Sequence, residues 1–127
     1  MKTKKPLIRL VGLLCTLALC THAGAHGQAR PQHGGLVDNG GEITFELVQQ
    51  KNGITVFVDD HGVPVPTKGA VGELLLGSET GQRIASLRPS GPNSVQGPKP
   101  AYRAGDRLYV RLTLGNGSIV VGEFLTR

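Results

Sequence analysis

From Glu42 to the end of the chain, apolar and polar residues alternate with a period of two, and turn signals interrupt them every few residues. Ile43, Phe45 and Leu47 alternate with Thr44, Glu46 and Val48, and Leu108, Val110, Leu112 and Leu114 alternate with Arg107, Tyr109, Arg111 and Thr113. Successive side chains of an extended strand point to opposite faces, so this pattern builds strands with one buried face. No window after residue 25 carries an apolar stripe at helical spacing. The expected strands are 43–48, 54–58, 71–76, 83–87, 107–114 and 119–125, with a short seventh at 94–96 in an otherwise irregular, Pro-rich stretch from 88 to 100. Asn52-Gly53, Gly77–Gly81 and Gly115-Asn116-Gly117-Ser118 supply the turns, and Pro64 and Pro66 break the ladder. The expected fold is all-β: a small antiparallel β-sandwich, Ig-like or Greek-key, of six or seven short strands, with a partly open barrel as the neighbouring solution.

The first 25 residues follow another logic. Lys2, Lys4, Lys5 and Arg9 precede an apolar run from Leu10 to Leu19, and Ala23-Gly24-Ala25 offers the small residues a signal peptidase requires. Residues 1–25 are therefore expected to be a cleaved signal helix, 26–41 a flexible Gly- and His-containing arm, and 42–127 the β domain. The compartment expected is the periplasm. Neither Cys15 nor Cys20 is preceded by the small residue a lipidated cysteine needs, and the apolar run is too short for a membrane anchor, so no membrane insertion is expected after cleavage.

Cleavage also changes the charge. Four of the fourteen Lys and Arg lie in the leader, leaving ten basic against nine acidic residues, about +1. That balance gives no overall footprint for nucleic acid or anionic lipid. Both cysteines and the single Met lie in the leader, so the remaining chain offers no soft sulfur ligands.

Imidazoles are then the distinctive ligands. His26 would be the new N-terminus, where its α-amine and Nδ1 can close a chelate ring on one ion. His33 follows seven residues later, and Asp59-Asp60-His61-Gly62 puts two carboxylates beside a third imidazole. The candidate metal ligands are thus His26, His33, His61, Asp59 and Asp60, a set suited to Cu(II) or Zn(II). Against this, Asp-Asp-His-Gly is an ordinary turn composition, and no CxxC or HExxH spacing is present. There is no G-x-S-x-G elbow, no catalytic cysteine and no phosphate-cradling loop before a helix, so no enzymatic activity is expected.

The order of the motifs carries a resemblance. Pro31-Gln32-His33-Gly34-Gly35, the strand Ile43–Val48, Val56-Phe57-Val58-Asp59-Asp60-His61-Gly62-Val63-Pro64-Val65, Thr67-Lys68-Gly69-Ala70 and Leu87-Arg88-Pro89-Ser90-Gly91-Pro92-Asn93 are similar to a group of small exported β domains of Gram-negative periplasms. Related segments occur beside the adaptor subunits of heavy-metal efflux systems. The resemblance implies a β-sandwich-like fold and a link to copper or zinc homeostasis, with His33 and the Asp59–His61 segment on the recurring motifs and His26 outside them. The function expected is a periplasmic metal-binding protein that buffers or hands over a divalent ion. The alternative is a metal-free interaction module of a cell-envelope or efflux assembly, with an envelope protein as partner and contact made through edge strands and the 88–100 segment.

Overall fold

The computed structural model describes residues 29–38 and 41–127; the expected leader and His26 lie outside them. The described residues contain no helix and form nine strands: β1 Leu36–Asp38, β2 Ile43–Gln50, β3 Gly53–Asp60, β4 Val63–Pro64, β5 Val71–Leu76, β6 Gln82–Gly91, β7 Ser94–Pro98, β8 Arg107–Thr113 and β9 Ile119–Leu125. All pairings are antiparallel. The all-β expectation holds at that level.

Architecture and strand count differ from the expected sandwich of six or seven strands. The sheet is continuous in the order β1-β2-β3-β7-β6-β5-β8-β9, with β4 attached to β3, and its two ends meet. It is a nearly closed antiparallel barrel. The long strand β6 produces the continuity: Gln82–Leu87 pair with β5, while Arg88–Gly91 pair with β7. Sequence alternation could not report this, because Pro89 and Gly91 mask the strand. The stretch from 88 to 100, expected to be irregular apart from a short strand at 94–96, supplies the end of β6 and all of β7, which runs over Ser94–Pro98 and lies inside the sheet between β3 and β6. The extra strands β1 and β4 are three and two residues long, too short to display a period.

The alternation read from sequence sets the inside of the barrel. Phe45 and Leu47 on β2 face Val58 and Val56 on β3, and Val95 continues the row on β7. From the other side come Leu74, Leu87, Leu108, Val110, Leu112 and Phe124. Each is almost completely removed from water, which for such side chains is worth about 1.5–3 kcal/mol apiece. Gly122 on β9 leaves the space that the Phe45 ring fills: a Cβ there would lie 2.7 Å from the Phe45 Cγ. A small residue opposite a large one is how a narrow barrel reaches interior packing density.

One turn departs from its expected position by a residue, and the turn composition of Asp59–Gly62 narrows to two residues. The β2–β3 hairpin closes on Lys51-Asn52, and Gly53 is already in β3, paired with Gln50. Asp60 pairs with Val63, so His61 and Gly62 are the two residues of a tight turn. Both have positive φ, 49° and 84°, as a primed hairpin turn requires. Pro64 sits on the short edge strand β4, where its missing N–H is tolerated.

Candidate functional site

The clearest polar site is built around Glu46. In β2 this residue points away from the barrel interior, in a row with Val37 on β1 and Phe57 on β3. Alternation predicts a solvent-facing carboxylate there. Instead Glu46 is 5 % exposed, because the segment before β1 folds over it. One carboxylate oxygen, Oε1, accepts the backbone N–H groups of His33 at 2.7 Å and Gly35 at 2.9 Å. The other, Oε2, accepts the N–H of Gln32 at 2.9 Å and faces His33 Nδ1 at 2.9 Å. Four donors occupy the lone pairs of one carboxylate.

The Gln-His-Gly-Gly sequence explains the wrap. Gly34 adopts φ 76°, a conformation that costs glycine nothing and lets successive N–H groups converge. Gly35 lies so close to β2 that a Cβ would stand 2.4 Å from the Leu47 carbonyl oxygen. The His33 ring lies flat on Phe57, with centroids 3.6 Å apart and planes 4° from parallel. Segment 32–38, placed in a flexible arm by sequence, is thus fastened by a buried carboxylate, a ring stack and the pairing of β1 with β2.

Burial pushes the Glu46 carboxyl toward its neutral form, but the bonds from the Gly35 N–H, the His33 ring, the His33 N–H and the Gln32 N–H outweigh it. The net effect is a pKa below the ordinary glutamate value. An ionised Glu46 requires a proton on His33 Nδ1. In the neutral imidazole the free lone pair is then on Nε2. The His33 side chain keeps 43 % of its surface open, and it lines a groove of about 490 Å³ with Gln49, Tyr102 and Arg127. The Tyr102 hydroxyl is the one buried side-chain polar atom without a hydrogen-bond partner among the described residues.

The second candidate cluster divides. His61, held in the left-handed region by its turn, turns its Nδ1 onto Asp60 Oδ1 at 2.6 Å, and both side chains are exposed. Asp59 faces the other way. It accepts Asn93 Nδ2 at 3.1 Å and lines a groove of about 330 Å³ with Thr44 and Glu46. The structure therefore brings together His33 with Glu46 and Asp60 with His61, and sets Asp59 and Glu46 on the wall of one groove. The four expected ligands among the described residues, His33, Asp59, Asp60 and His61, are not gathered around one point. Phe57 and Asp60, on which the two imidazoles rest, are three residues apart on β3, about 10 Å along a strand. Among the described residues no three His, Cys, Asp or Glu side chains are placed to hold a metal ion together.

Glu46 and Phe57 are the site residues that sequence reasoning missed. Nothing in the local pattern marks Glu46, since its partners lie eleven to fourteen residues upstream in a Gly-rich stretch. The one available signal was a pair of glycines directly after a histidine, next to a strand carrying an acidic residue. Compared with family models, curated proteins and solved structures, the chain matches none.

Proposed function

We propose that this protein is an exported metal-binding module for a divalent ion, Cu(II) or Zn(II), in which His33 Nε2 is the anchoring ligand. The observation that carries the reading is the orientation of His33. A carboxylate with no lone pair to spare fixes its Nδ1, an aromatic face fixes its plane, and the side chain, 43 % open, lines a groove. A histidine whose second nitrogen donates to a carboxylate is the usual form of a metal-ligating imidazole, because the carboxylate fixes the tautomer and raises ligand basicity. Glu46 is then a positioning residue, since its four acceptor sites are taken. The donor set needs completing, and the sequence supplies His26, whose ring and free amine after leader removal form a chelating pair seven residues from His33. The Asp60–His61 pair has the same Nδ1-to-carboxylate form and is a separate, weaker ligand.

Calorimetry on the chain beginning at His26 tests this. Binding of Cu(II) or Zn(II) tighter than about 100 μM is expected, equivalent to about 5.5 kcal/mol. His33→Ala should abolish it, and one residue added before His26 should weaken Cu(II) binding. A mature protein that binds neither ion at that level removes the proposal.

A further inference from the structure

Four places round the sheet from β2, the outer face of β5, β6 and β8 holds a groove of about 520 Å³. Arg83 and Arg88 of β6 and Arg111 of β8 line it, against a single carboxylate, Glu73. Arg111 reaches Glu73 at 3.4 Å, a loose pair, while Arg83 and Arg88 make no ion pair among the described residues. Ser86 and Thr113 add hydroxyls to the same wall. The near balance of ten basic and nine acidic residues over 29–127 hides this concentration. Residues 29–60 carry five acidic and two basic side chains, whereas 61–127 carry eight basic and four acidic. The groove sits on the cationic half.

We infer that this groove binds an extended acidic segment of a partner polypeptide, its carboxylates taken by Arg83, Arg88 and Arg111. Guanidinium groups suit carboxylates because their paired N–H donors match the two oxygens. Spacing selects the ligand. Arg83 and Arg88 are five residues apart on one strand, about 16 Å, and Arg111 lies two strands over from β6, about 10 Å. A single small oxyanion fills one corner of that triangle. An extended peptide places same-face side chains about 7 Å apart, so acidic residues two and four positions apart reach successive guanidiniums. A nucleic acid strand fits less well, because no aromatic ring lines the groove to stack a base. The inference is independent of metal binding at His33.

The test uses the chain from His26 in the presence of a chelator, so its outcome is separable from that of the metal reading. The probe is a fluorescent decapeptide of alternating Glu and Ser, followed by anisotropy. Binding tighter than about 100 μM in about 50 mM salt is expected, weakening as salt rises. The double variant Arg83→Gln, Arg88→Gln should weaken it at least about tenfold, and Lys51→Gln, in the distant β2–β3 turn, should leave it unchanged. The inference is overturned by absence of binding, by equal loss in the Lys51 variant, or by tighter binding of a ten-residue oligothymidylate. It is also overturned by a low-salt dimer in sedimentation that the arginine variants abolish, which makes the occupant a second copy of the chain.

Discussion

The carboxylate of Asp38 accepts the backbone N–H of Glu123 at 2.8 Å, joining two residues 85 positions apart. Asp38 ends β1 and Glu123 lies in β9, so the contact bridges the two ends of the sheet, which no strand pairing joins among the described residues. A side chain takes the place of one missing ladder bond and helps hold the two ends of the nearly closed barrel together. Asp38→Ala should cost about 0.5–1.5 kcal/mol, the net value of a hydrogen bond at an exposed site. Urea unfolding measures that cost, and hydrogen exchange at the Glu123 amide should accelerate more than at β8 amides. Equal exchange in both proteins would show that the seam is held by something else.

Inside the same seam, Phe45 and Gly122 form a matched pair. A methyl group on Gly122 would overlap the base of the Phe45 ring, at the Cγ and Cβ atoms that rotation does not move far. Gly122→Ala should therefore destabilise by about 1–3 kcal/mol, the usual cost of overpacking a filled core. Phe45→Leu alone should also destabilise, by loss of buried volume. The double variant should be more stable than the sum of the two predicts, because each change makes room for the other. A double-mutant cycle with no coupling would disprove the direct contact.

The barrel was legible where side chains alternate without interruption. Leu108–Leu112 and Phe45–Leu47 announce both strand and buried face, and the structure places these residues in the core. Closure was not legible, since it depends on β6 serving two partners and on strands too short to show a period. The site follows the same division. His33 and His61 stood out by residue type, but Glu46 had the pattern of any outward strand position. Its burial comes from the chain folding back over it, a tertiary relation with no local signature. His61 was read as a ligand, while its positive φ shows a demand of the β3–β4 turn that composition attributed to Asp and Gly.

Glu46 makes stability depend on pH in a definite direction. Its folded pKa lies below the reference value of 4.5, so the folded state favours the charged form more than the unfolded chain does. The stabilisation is fully present above about 4.5 and is lost as pH falls through the folded value. Unfolding free energy measured in urea from pH 7 downward should fall more steeply below about 4.5 for the native chain than for Glu46→Gln. The variant should already be weaker at pH 7, by about 2 kcal/mol or more, because an amide cannot accept four donors. Parallel curves for the two proteins would mean that the carboxylate is not ionised in the fold.

The same variant separates positioning from ligation at His33. If Glu46 acts through His33, Glu46→Gln should weaken Zn(II) or Cu(II) binding by about 10–100-fold while His33 remains the ligand. Imidazole NMR shifts on Zn(II) titration should then still report coordination at Nε2 of His33. Loss of binding without any change in the His33 signals would place the ion elsewhere.

Thr67 tests how the far end of the barrel is tied. Its side chain is fully buried, its hydroxyl lies 2.9 Å from both the Gly91 and the Ser94 carbonyl oxygens, and its own N–H donates to Pro92 at 3.1 Å. One residue thus fastens the β6–β7 turn to the segment after β4. Thr67→Val keeps the volume and removes the donor, leaving two carbonyls without this partner in a dry site. The expected cost is about 1–3 kcal/mol. Thr67→Ser keeps the donor and loses one methyl group, for about 1 kcal/mol. Denaturation should rank the native chain above Thr67→Ser and Thr67→Val last. If valine proves as stable as serine, packing rather than the hydroxyl holds this turn.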